Sequence, residues 1–283
     1  MDGVTKHSLR GRLASHCLLL ETGRSLALID TGYGLPDIAH PRSRLSNFFL
    51  ALLKPELHES MTAVRQIQRL GFDPKDVQHI VLSHLDFDHA GGLDDFPQAT
   101  VHLLGTEIDS AASQKTVIDR LRYRPQQWNT RAQWRGYAAD AGEAWFGFEH
   151  VRELEGIGPE VLMVPLIGHT LGHAGVAIRC DERWLLYAAD AYFFHAEMDE
   201  RPRCTPGLRL YQTMMEKNRR LRLLNQRRLR QLRLASKGEI DIFCAHDIGE
   251  FEQHGGHSHH EPAQMARPAQ KVRPVDVGAI HSV

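Results

Sequence analysis

The chain has 283 residues, of which 42% are hydrophobic and 24% charged, with a formal net charge of −1 at pH 7. So balanced a charge excludes a general electrostatic attraction to nucleic acid or to anionic membrane surface, and no apolar run is long enough to read as a membrane span. A chain of this length buries a sizeable core unaided, as one large domain or one domain with embellishments.

Residues 16–22 and 25–30, separated by Gly23-Arg24, predict a leucine-rich hairpin ending on Asp30-Thr31-Gly32. Residues 34–57 contain Pro36, Pro41, Pro55 and the cluster Phe48 to Leu53, which suits either a flap near a pocket or a turn of core helix. Residues 58–70 carry Met61, Val64, Ile67 and Leu70 at helical spacing, with Gly71 as the stop, and predict an amphipathic helix facing the core. His79-Ile80-Val81-Leu82 predicts a short buried strand. The loop leaving it, Ser83-His84-Leu85-Asp86-Phe87-Asp88-His89-Ala90-Gly91-Gly92, places His84, Asp86, Asp88 and His89 within six positions. Two carboxylates and two imidazoles so crowded repel, or stay solvated, unless something positive lies between them; a metal ion is the simplest candidate. A polar surface loop with accidental spacing is the bland alternative.

Residues 99–104 predict a strand and 106–122 a helix, followed by an aromatic segment to about residue 150 that holds Trp128, Trp134 and Trp145. These aromatics either wall an apolar pocket, with Arg122, Arg124 and Arg131 available for an anionic group, or bind the segment to the main body. Further strands are predicted at 160–166, 176–179, 183–188 and 240–244. Residues 211–235 predict a helix with Leu221, Leu224, Leu229 and Leu232 inward and a solvated arginine face. Beyond about residue 250 the composition turns to Gly, Pro, Gln and His, with His254, His257, His259 and His260 grouped, which suits a mobile tail able to scavenge metal. Cys17, Cys180, Cys204 and Cys244 lack CxxC spacing and suit reduced thiols. Residues 1–12 lack the apolar core of a signal peptide, so the expectation is a cytoplasmic protein.

Three later motifs follow the first cluster in order: Gly168-His169-Thr170-Leu171-Gly172-His173, Ala189-Asp190-Ala191 and Cys244-Ala245-His246-Asp247. Together the four resemble the metallo-β-lactamase superfamily, whose usual signature is HxHxDH followed downstream by a His, an Asp and a His. The resemblance covers roughly residues 14–250. It implies an α/β fold of the four-layer αββα sandwich type, two mixed sheets with helices outside and metals at one edge. The implied domain is 1–250, with 251–283 a flexible His-rich tail.

The resemblance also implies two divalent metal ions. His84, Asp86 and His169 would hold the first, Asp88, His89 and His246 the second, and Asp190 would bridge both. Asp86 stands where the signature has a histidine, which makes the first set more anionic; zinc remains the first expectation, with iron or manganese admitted by that carboxylate. Alternatively Asp86 only orients a neighbour. Asp30-Thr31-Gly32 resembles the family's DTG and is expected to orient ligands, and His173 is expected to support the pocket from behind them. Some lactone-hydrolysing relatives carry a tyrosine three residues beyond the bridging aspartate. Here that place is Phe193, leaving Tyr192 or His195 as candidate substitutes.

The implied activity is metal-dependent hydrolysis of an ester-like bond in a small molecule, a lactone or carboxylic ester favoured. A hydroxide held between the metals would attack the carbonyl, with Asp88 and Asp190 as catalytic residues. A phosphodiesterase or nuclease, a di-iron redox enzyme, and a non-catalytic binding protein of the same fold remain alternatives. Neither nucleic acid nor membrane is an expected partner.

Overall fold

A computed structural model describes residues 11–23, 25–129, 133–236 and 238–255, together with the backbone of 277–278 and 281–282. His257, His259, His260 and Arg131 lie outside the described residues, so the tail expectation is not addressed.

The first sheet explains why its strands read as continuous apolar runs. It contains β2 (Leu18–Glu21), β3 (Leu26–Ile29), β4 (Val77–Val81), β5 (Thr100–Leu104) and β6 (Trp134–Tyr137), after the two-residue β1 (Ser15–His16). The β2–β3 hairpin is antiparallel, and β3, β4, β5 and β6 are parallel. Both faces are covered: Leu18, Leu20, Ala27 and Ile29 join one core cluster, while Leu19, Leu26 and Leu28 join another.

The second sheet runs through β7 (Glu143–Trp145), β8 (Phe148–Leu154), β9 (Gly158–Pro165), β10 (Ala174–Cys180), β11 (Arg183–Tyr187) and β12 (Ile240–Phe243). Its pairings are antiparallel up to β11, and β12 lies parallel to β11. Two further backbone pairings join β13 (Val277–Gly278) to β2 and β14 (His281–Ser282) to β1.

Between the sheets, Leu18, Leu20, Ile29 and Val81 meet Val161, Met163, Val176, Ile178 and Phe243. The outer face of the first sheet packs on α4 (Ala63–Arg69), through Ala63, Val64 and Ile67. The outer face of the second packs on α8 (Arg219–Ala235), through Leu229 and Leu232. Helix, sheet, sheet, helix is the αββα sandwich expected. No described helix is long and apolar enough to cross a membrane.

Several elements differ in detail from the sequence reading. After α1 (Leu35–Ala39) and α2 (Pro41–Arg44), the aromatic cluster forms α3 (Asn47–Leu53), capped by the Ser46 hydroxyl. The helix predicted over 106–122 is two, α5 (Gly105–Ser113) and α6 (Val117–Arg122), because Gln114 turns left-handed at φ 40° and Thr116 with Asp119 starts a new capping box. Likewise 211–235 is split into α7 (Pro206–Met215) and α8, whose cap is Asn218. On α8, Leu224 is 43% exposed while Arg222, Asn225 and Gln226 are buried. The inward stripe is therefore partly polar, since Arg222 ion-pairs Glu216 and hydrogen-bonds Gln212, and Gln226 bonds Ala191 and Gln212. Trp128 and Trp134 pack on the first sheet's outer core and Trp145 on the second's, edge-on to Trp184. These tryptophans attach their segment to the body.

The chain continues past residue 250 as α9 (Ile248–Gln253), started by the Asp247 side chain, with Phe251 buried. Inside that turn Glu250 accepts hydrogen bonds from the Tyr192 hydroxyl and the Cys244 N–H. Burial pushes its carboxyl up from 4.5 to about 7, only partly opposed by those donors. A carboxyl raised in the folded state contributes stability that is fully present below its unfolded value and is lost as pH rises toward the folded one. Between about pH 4.5 and 7, Glu250→Gln is therefore expected to lose less stability than the parent, read as melting temperature against pH; parallel curves would refute this.

Candidate metal centre

The centre begins where two parallel strands end side by side. Beyond β3, Asp30 takes a left-handed backbone at φ 53°, an uncommon state for a residue other than glycine. It is held there by its carboxylate, which accepts from the Ser83 N–H at 2.8 Å, the Ser83 hydroxyl at 2.7 Å, the Tyr187 hydroxyl at 2.8 Å and His89 Nδ1 at 2.7 Å. Burial alone would raise this carboxyl, but His89, His84 and the Ser83 amide hold it lowered. The bond to His89 Nδ1 fixes that ring so that Nε2 faces the centre. Ser83 Oγ does the same for His84, 2.9 Å from its Nδ1, and the Ala14 carbonyl for His246, 2.6 Å from its Nδ1.

Later strands deliver the remaining donors. β9 leads to His169 through Gly168, whose φ of 150° suits glycine and whose missing Cβ makes room for the Arg222 backbone. β11 leads to Asp190 through Ala189, another left-handed residue at φ 46°. β12 leads to His246. Helix α5 ties two of these loops together, as its buried Glu107 accepts from Leu85 N–H and Gly172 N–H, each at 3.0 Å.

Two donor clusters result. His84, Asp86, His169 and Asp190 form one, Asp88, His89 and His246 the other. Asp190 lies between them: its Oδ2 is 3.8 Å from His84 Nε2 and 3.2 Å from His169 Nε2, while its Oδ1 is 3.2 Å from His89 Nε2 and 3.0 Å from His246 Nε2. Asp86 Oδ2 is 3.3 Å from His84 Nε2 and 3.1 Å from His169 Nε2, and Asp88 Oδ2 is 3.9 Å from His246 Nε2.

Donors bound tetrahedrally at about 2.0–2.1 Å stand roughly 3.3–3.5 Å apart, so these spacings fit small divalent cations. His84 Nε2, His89 Nε2 and Asp190 Oδ1 are buried without a hydrogen-bond partner among the described residues, a cost that a cation would remove. The charge balance agrees. Burial would raise Asp190, yet His246, His89 and His169 hold it well below the usual carboxylate range; burial would lower His89, yet Asp190, Asp30 and Asp88 hold it well above. His246 is likewise raised against burial by Asp190 and Asp88, whereas burial and Arg122 push His169 down to about 4, so positive charge that a metal ion would replace gathers on His89 and His246. Burial raises Asp88, against the pull of His89 and His246.

The seven residues expected as ligands thus converge, with Asp30 bonded to His89 Nδ1 and Ser83 beside them. His173 stands behind the ligands, Nδ1 on the Leu166 carbonyl at 3.0 Å and Nε2 accepting the Asp190 N–H at 3.0 Å; burial holds its pKa well down, as an acceptor requires. Tyr192 has no access to substrate, because its fully buried hydroxyl is spent on Glu250 and the Ile242 carbonyl. His195 pairs with Asp247, 2.8 Å from Nδ1, at the partly exposed margin. Arg122 is not available for a substrate anion: it is buried against Asp86 and His169, while Arg124 donates to the Arg44 carbonyl.

Sequence reasoning missed Glu107, the Arg122 contact and Tyr211. The Tyr211 ring meets Phe193 edge-on at 5.7 Å, and Phe193 stacks on His246 at 4.8 Å. Burial and the facing carboxylates of Asp88, Asp86 and Asp190 push the Tyr211 phenol well above its ordinary range. No local spacing signals these residues, since each reaches the centre from another element. The open groove lined by Trp145, Arg152, Arg179 and Trp184 contains none of the clustered residues.

The chain belongs to the metallo-beta-lactamase superfamily, which it matches over residues 10–234. It is a metallo-hydrolase of that superfamily by relationship: it is 39% identical to the Mycobacterium tuberculosis protein named "Probable metallo-hydrolase" over 235 residues, 83% of this chain and 75% of that one. It is also 36% identical to the N-acyl homoserine lactonase of Bacillus thuringiensis, over 97 residues, 34% of this chain and 38% of the lactonase. Among solved structures, an N-acyl homoserine lactone hydrolase with its product at the catalytic metal centre shares the fold, at TM-score 0.63 and 21% identity over 89% of this chain and 90% of that one.

Glu107→Ala would leave two buried N–H groups on separate loops without acceptors, a loss of about 2–4 kcal/mol from about 1–2 for each. Chemical denaturation is the check, and Glu107→Gln is expected to recover part of the loss.

Proposed function

We propose that the chain hydrolyses a lactone or another carboxylic ester of a small molecule, using two divalent cations held by His84, Asp86, His169, Asp88, His89 and His246 with Asp190 between them. The observation that carries this reading is the division of Asp190, one carboxylate oxygen directed to each donor cluster. When bound, such cations supply an acidified water and a Lewis acid for a carbonyl. Mixed imidazole and carboxylate donors at these spacings favour zinc.

The protein's own residues supply the rest. Asp88, raised by burial at the edge of the second cluster, is placed to accept a hydrogen bond from an attacking water. The Tyr211 phenol, raised by burial and then by the carboxylates of Asp88, Asp86 and Asp190, with its ring against Phe193, is the candidate donor for the substrate's carbonyl or departing oxygen. Phe49, Phe87, Tyr33 and Met215 form an apolar cluster with Tyr211 and Leu53, which packs the metal loop against α3 and α7. The resemblance to N-acyl homoserine lactonases supports a lactone within the ester class.

The experiment is a screen of the zinc-loaded protein on lactone, ester, thioester and phosphodiester substrates. Lactone or ester turnover that Asp190→Ala abolishes is the expected result; phosphodiester cleavage alone would overturn it. On the substrate found, Tyr211→Phe should lower kcat by about a hundredfold, the scale of one lost oxyanion donor, with little change in KM.

A further inference from the structure

The carboxylate that stands where the superfamily signature has its second imidazole does not stand alone. Asp86 forms an isolated backbone bridge with Tyr123, which brings the end of α6 against the metal loop. From there Arg122, wholly buried, sets Nε 2.5 Å from Asp86 Oδ1 and Nη2 against Asp86 Oδ2, a side-on pair using both carboxylate oxygens. Its Nη1 donates to the Met215 carbonyl at the end of α7, and Nη2 also lies 2.7 Å from His169 Nε2. Every nitrogen of the guanidinium is engaged, and Arg122 touches two of the four donors in the first cluster.

A guanidinium is permanently charged, and its side-on contact through both carboxylate oxygens pairs Asp86, as an anion, with that cation. An aspartate and a guanidinium in side-on contact sum to zero charge, as a neutral imidazole does. The Oδ2 lone pair not used by Nη2 remains free to face His84 and His169, 3.3 and 3.1 Å away. His169 Nε2 has a single lone pair, which cannot serve both Arg122 and a metal. Were a cation held by His169, Nε2 would be its ligand, and the guanidinium would keep Asp86 and the Met215 carbonyl as partners.

We propose that Arg122 is a charge-compensating positioning residue: it cancels the negative charge that Asp86 adds to the first cation site and orients Oδ2, so that the site keeps the charge and metal preference of a set with imidazole at this position. The proposal rests on the metal-centre reading above. It reverses the expectation that Asp86 makes the site harder and more suited to iron or manganese. Arg122 also couples the site to α7, which carries Tyr211, through the Met215 carbonyl.

The test uses the full chain with His257, His259 and His260 replaced by Ser, so that these do not compete for metal, as the reference. Zinc and manganese binding are measured separately by competition with a chromogenic chelator, on the reference and on R122M, D86H and D86H/R122M, with melting temperature recorded for each. R122M is expected to move the zinc-to-manganese affinity ratio of one site toward manganese by about tenfold or more, the scale of an outer partner's effect on a metal. D86H, which leaves the guanidinium facing only neutral donors, should weaken one zinc site by a similar factor. The double variant should bind zinc within about threefold of the reference, since Arg122 and the added charge are removed together.

A ratio unchanged by R122M overturns the proposal, as does equal zinc binding by D86H and the double variant. So does a second zinc equivalent gained by R122M that the reference lacks, which would place Arg122 in the position of an ion. Should D86H fail to fold, R122M decides alone. A reference chain that binds no zinc defeats the metal-centre reading and this proposal together, whereas two zinc ions indifferent to Arg122 defeat only this one.

Discussion

Four buried aspartates, Asp30, Asp86, Asp88 and Asp190, crowd the ends of two sheets together with four imidazoles, and the placement of these charges governs how the surrounding structure is built. Burying a carboxylate is costly unless it is paired and hydrogen-bonded, and each of these meets the requirement differently. Asp30 is surrounded by Ser83, Tyr187 and His89. Asp86 has Arg122, and Asp190 has the imidazoles on both of its sides. Asp88 has the least, which is why its carboxyl is raised where Asp86 and Asp190 are lowered.

The sandwich serves that arrangement by bringing strand ends from both sheets to one edge. β4 and β3 end next to each other because they are parallel neighbours, and β11 and β12 end together for the same reason. Short loops then turn ligands inward, helped by left-handed backbone at Asp30 and Ala189 that an unsupported chain would rarely hold. Glu107 joins the first metal loop to the loop after β9, so α5 acts as a brace across the two sheets. α7 and α8, tied to each other by Gln212, Arg222 and Gln226, set the Tyr211 ring against Phe193.

Two departures share one logic, Asp86 from the superfamily signature and Phe193 from the tyrosine of some lactone-hydrolysing relatives. Asp86 replaces an imidazole and is answered by Arg122 from α6; Phe193 occupies the place of a tyrosine and packs against Tyr211 from α7. Each answer comes from an element far along the chain from the residue it answers. On the roles proposed above, each function belongs to a pair, and a motif scored position by position sees only the loss.

The sequence alone marked most strands and helices by their hydrophobic period and four donors as one contiguous loop. The resemblance of its four ordered motifs to the superfamily implied the sandwich and the three distant donors. It also marked Asp30 and His173 as supporting residues. Tertiary structure decided what those side chains face. It withdrew Tyr192 into a bond with Glu250, set His195 on Asp247 at the margin, and turned Arg122 from a cation available to a substrate anion into a buried partner of Asp86. It also split the two long helices at Gln114 and at Glu216 to Asn218. The physical reason is the same throughout. Burial and long-range pairing depend on which elements meet across the fold, and that information is shared among residues well separated in sequence, such as Asp86 with Arg122, 36 positions apart, or Leu85 with Glu107, 22 apart.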